Sequence, residues 1–379
     1  YKRTAKETLD YITRVLRVPA GGFATAEDAD SQGEEGKFYL WTKKEVEDLL
    51  GSGAQAFCTL YDITDHGNFE GKNILNLIDN PLPLSGLPEM ERERGILFAA
   101  REKRVRPFLD DKVLACWNGL CMAAFAFSGR VLRDAALIKT AEETGDFILK
   151  NMTDGRGGLL SSWREGQAKT PAHADDYAYV IWGLLELFAA TGDLKVLSRA
   201  VRLNGFFMDG FADEHSGGLF FTGRGAEKLI ARTRTGYDGA VPSANSVQAA
   251  NLLRLYTWTG DLQFKKSAEG VIGAFAGEAA QNPAAYAHLL NALLRGREDE
   301  TRVVIAGRTR EDLLSLLSCA QRAGAAAVAV TEDLPENLKA YFKDYRPLSG
   351  KSAAYVCRGR TCLPPAVDPV ELSKLLKDG

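Results

Sequence analysis

The chain has 379 residues, of which 45% are hydrophobic and 26% charged, an ordinary globular balance with enough apolar surface for a sizeable core. Its formal charge of −3 gives no basic excess for nucleic acid or an anionic membrane surface. No apolar run reaches the roughly 18 residues of a membrane span, and the greasiest stretch, residues 180–190, carries Glu186.

The first residue is not Met, and the chain opens directly inside an amphipathic helix over residues 2–17, which reads as a trimmed N-terminus. A Gly21-Gly22-Phe23 loop follows. Residues 21–110 then break the pattern as a long inserted segment, expected to act as a lid. In it, Lys37 to Trp41 alternates like a strand, Thr42 is placed to cap a helix through Leu50, and residues 89–103 are charged and helical.

From residue 117 a repeat emerges. An apolar helix, a short turn and an amphipathic helix recur three times, over residues 117–152, 175–211 and 243–276. Gly157-Gly158-Leu159 and Gly217-Gly218-Leu219 close the first two units. Thr191-Gly192-Asp193 and Thr259-Gly260-Asp261 suit a left-handed helix end followed by a capping Asp. Residues 284–294 look like one more apolar helix. Beyond residue 299, strands over 303–307, 325–330 and 353–357 alternate with helices over 311–322 and 370–377. The expected organisation is therefore a mainly α chain: an α/α toroid over residues 1–298, incomplete at its N-terminus, with a small α/β unit over 299–379.

Polar residues gather where the apolar helices begin. Asp110 and Asp111 precede the first, which opens with Trp117 and Asn118; His173, Asp175, Asp176 and Tyr177 open the second; Asp238, Ser243 and Asn245 open the third; His288 lies on the fourth. Capping needs one such residue per helix, so the surplus points to a polar pocket at the toroid mouth. Paired carboxylates suit glycoside hydrolysis, with Asp111, Asp175, Asp176 and Asp238 as candidates. Histidine suits proton transfer near neutrality, with His173 and His288 as candidates. Asp110, Trp117, Asn118, Tyr177, Arg234, Ser243, Asn245, Asp28 and Asp30 are the expected ligand-binding set. No His, Cys or carboxylate spacing suits a metal, and no glycine-rich phosphate loop is present, so no metal or cofactor is expected. The six cysteines are scattered; Cys116 and Cys121 sit on an apolar helix, and Cys357 and Cys362 lack redox spacing. That usage suits a reducing, cytoplasmic compartment.

Four stretches, in order, resemble the spermatogenesis-associated protein 20 family: Glu27-Asp28-Ala29-Asp30-Ser31 with the segment from Glu35 to Thr42; Arg104, Arg106 and Pro107 with Asp110-Asp111-Lys112 and Trp117-Asn118-Gly119-Leu120; Asp175-Asp176-Tyr177-Ala178; and Asp238-Gly239-Ala240 with Pro242, Ser243, Asn245 and Ser246. The Cys357 to Pro365 end is also similar. The resemblance implies a thioredoxin-fold domain upstream of a six-hairpin glycosidase-like toroid; this sequence shows neither that domain nor a Cys-x-x-Cys. It implies a partner relationship with such an upstream domain. Two functional expectations stand side by side. In one, the mouth binds a small carbohydrate or polyol and carries out hydrolysis or epimerisation. In the other, the toroid is a non-catalytic scaffold that presents a redox domain to client proteins.

Overall fold

The computed structural model describes residues 1–80, 90–227, 230–297, 301–359 and 361–377. Two units share the chain: Thr25–Asp111 is one, and Tyr1–Ala24 with Lys112–Gly379 is the other. The inserted segment thus begins at Thr25 rather than at residue 21, because Phe23 is held by the helical unit through Asn118.

Helix α1 (Lys2–Tyr11) runs on into a π-helical turn, Ile12–Leu16. The Thr25–Asp111 unit then contains strands β1 (Ala26–Glu27), β2 (Asp30–Ser31) and β3 (Glu34–Glu35), helices α2 (Lys43–Leu50), α3 (Ala54–Leu60) and α4 (Glu91–Arg101), and strand β4 (Leu109–Asp110). β1 pairs with β4 and β2 with β3, both antiparallel. Thr42 and Glu45 form a reciprocal cap on α2. Trp41, Val46, Phe57, Ile63 and Leu97 make the core of this unit. The strand expected over Lys37 to Trp41 is instead a turn, with only Trp41 bridged, to Asn73. The carbonyls of Lys37, Phe38 and Leu40 all turn toward the Arg104 guanidinium, which sits 3.9 Å above the Trp41 ring. A strand would point those carbonyls to alternate sides. Residue 89, the expected start of α4, lies outside the described residues.

The larger unit continues with β5 (Val113–Leu114), α5 (Ala115–Leu132), α6 (Ala135–Asn151), β6 (Leu160–Arg164), β7 (Gln167–Pro171), α7 (Ala174–Thr191), α8 (Leu194–Phe211), α9 (Ala244–Thr259), α10 (Leu262–Gln281) and α11 (Ala287–Arg297). Each odd-numbered helix from α5 to α9 forms a hairpin with its successor, and α5, α7, α9 and α11 pack side by side in that order. This is the arrangement of an α/α toroid: an inner row of apolar helices backed by amphipathic outer ones. Every hairpin turn has one design. A residue in left-handed conformation ends the inner helix (Arg133, Gly192, Gly260), and an Asp then caps the outer one (Asp134, Asp193, Asp261). The inner helices approach closely. A Cβ on Gly119 would lie 2.5 Å from the Tyr179 carbonyl carbon, and one on Gly183 2.7 Å from the Gly119 carbonyl oxygen.

The C-terminal part comprises β8 (Thr301–Ala306), α12 (Arg310–Arg322), β9 (Ala326–Val330), α13 (Glu336–Phe342), β10 (Ala353–Arg358), β11 (Thr361–Cys362) and α14 (Pro369–Lys377). The sheet order is β11-β10-β8-β9, with β8 and β9 parallel across α12. Ser198 of α8 and Asn337 of α13 exchange hydrogen bonds of 2.6 and 3.0 Å, fastening this sheet to the hairpins. Cys357 and Cys362, whose spacing is not that of a redox motif, form a disulfide, since the β10–β11 register sets them opposite each other. Cys58, Cys116, Cys121 and Cys319 are free. Burial pushes the Cys116 thiol up to about 12 and Cys121 to about 11, so both stay protonated and pack as small apolar groups. Among the described residues, no helix is long and apolar enough to cross a membrane.

The glycine contacts give a direct test. Gly119→Ala should cost about 3 kcal/mol or more, the upper range for overpacking a core. Gly205→Ala, in the open on α8, should gain about 0.5–1 kcal/mol of helix propensity. Urea unfolding of both variants measures the difference.

Candidate functional site

The three Gly-Gly loops are built alike. In each, the chain leaving a helix folds back on itself through an antiparallel bridge (Arg17 to Phe23, Thr153 to Leu159, Ala212 to Leu219), with a glycine at positive φ in the turn (Gly21, Gly157, Gly217). The third loop residue is buried, and a polar side chain from the start of an inner helix grips its backbone. Asn118 accepts from Phe23 N at 2.8 Å and donates to Phe23 O at 3.0 Å. The Tyr177 hydroxyl accepts from Leu159 N at 2.9 Å. Asn245 accepts from Leu219 N at 2.7 Å and donates to Leu219 O and Thr235 O. These buried groups have no other route to satisfaction.

Much of the expected ligand-binding set therefore belongs to the frame. Asp176 is buried and accepts from Cys116 N at 3.0 Å and His173 N at 2.9 Å, tying the starts of α5 and α7 together. Asp238 accepts from Ser243 N at 2.8 Å and from His288 N and Leu289 N at 2.8 and 3.2 Å, which joins α9 to α11. Ser243 caps α9. Arg234 binds Asp213 at 2.7 Å and the Gly217 carbonyl, bracing the third Gly-Gly loop. Asp28, Asp30, Asp110 and Asp111 belong to the Thr25–Asp111 unit, where Asp28 turns back to accept from Asp30 N. Trp117 is partly exposed at the start of α5.

Three expected residues keep reactive character. Asp175 lines a shallow cleft of about 250 Å³ with Tyr237, Val241 and Thr235, and burial, reinforced by Asp176, raises its carboxyl above the usual range. His173 stacks on Phe221 at 4.9 Å, and the Asp176 carboxylate, 3.8 Å from Nδ1, raises its imidazole above the usual value. His288 is lowered by burial and so remains neutral at pH 7.

His288 also marks a pocket the sequence did not reveal. Between α7, α9 and α11 lies a cavity of about 310 Å³ lined by Trp182 and Glu186, by Asn251 and Arg254, and by His288, Asn291 and Arg295, with Val247, Ala250 and Ala292 between them. No lining residue comes from an outer helix. The Trp182 and His288 rings lie 5.4 Å apart. Glu186 and Arg254 form a largely buried ion pair at 2.8 Å, with Arg130 4.0 Å from the other carboxylate oxygen. The available signal was spacing: Asn251 with Arg254, and His288 with Asn291 and Arg295, recur at helical intervals on otherwise apolar helices. Among the described residues, no three His, Cys, Asp or Glu side chains form a metal-binding group.

Fold and pocket together define an α/α-toroid protein with a polar cavity on its inner helices. No family model matches the chain. It is 32% identical to human spermatogenesis-associated protein 20 and 31% identical to the rat protein of that name, over 99% of this chain and 54% of each relative. It is 26% identical to an uncharacterised protein of Caenorhabditis elegans, over 99% of this chain and 57% of that one. The chain belongs to the spermatogenesis-associated protein 20 family and spans about half the length of these relatives. Similar solved structures include a GH76 α-mannanase from Bacteroides thetaiotaomicron (TM-score 0.42, 14% identity, 78% of each chain). A cellobiose 2-epimerase from Bacillus thermoamylovorans is another (TM-score 0.37, 18% identity, 43% of this chain and 44% of that one).

Two substitutions separate frame from site. Asn245→Ala strands the two buried backbone groups of Leu219 and should cost about 3 kcal/mol. Asp175→Asn should do the opposite. A carboxyl raised in the folded state adds stability below its unfolded value of 3.8 and loses it as pH rises. The Asp175→Asn melting temperature should therefore exceed the parent's at pH 7, and the gap should close as the pH falls toward 3.8.

Proposed function

We propose that the cavity between α7, α9 and α11 binds a carbohydrate or similar polyol, and that His288 moves a proton on it. The observation that carries this reading is that the half-buried Trp182 ring, in contact with the His288 ring, and the exposed Asn291 line one small cavity. An aromatic face packs against the C–H surface of a sugar, and planar amide and guanidinium groups fix its hydroxyls. Such a cavity lies within the range of small-ligand sites, roughly 300–1,000 Å³.

Between the two chemistries expected from the sequence, the hydrogen bonding favours proton transfer over paired-carboxylate hydrolysis. Asp176 and Asp238 each spend both oxygens on backbone N–H groups. His288 faces the cavity and is neutral at pH 7, the state in which imidazole accepts a proton. The scaffold reading gains from the same capping roles, since they leave fewer carboxylates for chemistry. A cytoplasmic location and an upstream thioredoxin-like partner domain belong to the proposal as well.

Titration of the full chain with mono- and disaccharides, read by tryptophan fluorescence, tests the binding. A saturable change lost in Trp182→Ala supports it; no response to any sugar moves the assignment to the scaffold. His288→Gln should keep binding and lose turnover. Because burial lowers His288, the parent rate should hold level below pH 6.5, the ordinary imidazole value, before it falls.

A further inference from the structure

A second, larger cleft opens at the opposite end of the inner helices, where the hairpins turn. Its volume is about 1120 Å³. The C-terminal turns of α5, α7 and α9 form one wall, and the end of α12 with the start of β9 forms the other. Every ionisable side chain among its described lining residues is an arginine: Arg130, Arg133, Arg254, Arg295 and Arg322. In a chain of net charge −3, this is a local concentration of positive charge and not a general basicity.

Ordinary structural demands account for part of it. Helix C-termini attract cations, each carrying about half a negative charge. Glu186 adds one more through Arg254 and Arg130. Arg295 is engaged with a neighbour of its own. The other four guanidinium groups still exceed what the four helix ends, α12 included, and one carboxylate offset. Arg133 and Arg322 are exposed, and neither side chain has a hydrogen-bonding or ionic partner among the described residues.

Arg133 adds an independent observation. It ends α5 in the left-handed conformation, at φ 56° and ψ 46°. The matching positions after α7 and α9 are Gly192 at φ 65° and Gly260 at φ 76°. Glycine is the unstrained residue there, and a side chain at this conformation costs folding energy. The first hairpin thus keeps a guanidinium at the cleft where its two structural equivalents keep none. Strain held at one member of a repeat points to a use for the side chain.

We infer that this cleft binds a small molecule bearing a diphosphate group, held by Arg133 and Arg322 across its two walls and by Arg130 at the end of α5. Guanidinium forks match phosphate oxygens two at a time, and arginines on opposite walls require a ligand with more than one anionic group. The site is separate from the sugar-binding reading: it shares Arg254 and Arg295 with that cavity, but Arg133, Arg322 and Arg130 line only the cleft.

Calorimetric titration of the full chain with inorganic pyrophosphate tests this, with orthophosphate beside it. Pyrophosphate should bind, and orthophosphate should bind about tenfold more weakly or worse, as expected when a second anionic group is lost. Arg133→Gly is the informative variant, because it removes the guanidinium and relieves the backbone. It should weaken pyrophosphate binding severalfold while raising the melting temperature, and Arg322→Ala should weaken it further. Trp182→Ala should leave it unchanged, which separates this site from the sugar cavity. Absence of pyrophosphate binding, or binding indifferent to both arginine substitutions, overturns the inference. So does binding of a single-stranded RNA oligonucleotide without binding of pyrophosphate, which would assign the cleft to nucleic acid.

Discussion

One device holds this architecture together: a polar side chain at the start of an inner helix grips the backbone of a Gly-Gly loop. Asn118, Tyr177 and Asn245 each do this, for Phe23, Leu159 and Leu219. The loops carry buried apolar residues between two helices, so their peptide groups leave water and must find partners inside. At the second loop the Ala172 N–H beside β7 supplies one partner, to the Leu159 carbonyl, and side chains from the inner helices supply the rest. A side chain with donor and acceptor together, the Asn amide, serves twice; the Tyr hydroxyl serves where the approach is longer. Without these grips the ends of the inner helices would lose their spacing, and everything placed by that spacing would move.

The same constraint decides what chemistry the molecule has available. The carboxylates nearest the inner-helix starts, Asp176 and Asp238, are anchors between neighbouring repeats and not free acids. Each binds backbone N–H groups belonging to two different helices or to a helix and its preceding loop. Asp175, next to Asp176, meets the Ala244 backbone at the start of α9, but burial and the Asp176 charge outweigh that contact. It pays in desolvation, and its raised carboxyl is the physical trace of that balance.

Deeper along the inner helices the demand changes from capping to charge balance. Glu186 and Arg254 occupy an apolar interior where a lone charge is costly, so they occur as a pair. Arg254 of this pair lines both the inner-helix cavity and the arginine cleft, as does Arg295, while Glu186 lines the cavity alone. Trp182 and His288 stand on one side of the pair, and the hairpin turns on the other. The inner row thus carries a cavity with one uncharged imidazole beside the ion pair and Arg295, and a cleft whose ionisable lining is wholly arginine.

The helices, their order and their turns were legible in the sequence, because periodic burial and terminal signals are local. Gly192-Asp193 and Gly260-Asp261 mark hairpin turns on inspection, and α8 occupies the span its pattern indicates. The family resemblance was legible for the same reason, carried by short ordered motifs. What the sequence could not decide was the duty of each polar residue in those motifs. An Asp at a helix start is a cap, an inter-helix anchor or a free acid according to which backbone N–H lies beside it, and that neighbour is sixty residues away in Asp176 and fifty in Asp238. The strand pattern over Lys37 to Trp41 failed likewise, because a distant Arg104 gathers those carbonyls to one side. The cavity residues Trp182, Arg254 and Asn291 were hidden as minority members of apolar helices. Only the packing of three inner helices brings them to a common space, because a pocket is a property of surfaces that meet and not of any segment alone.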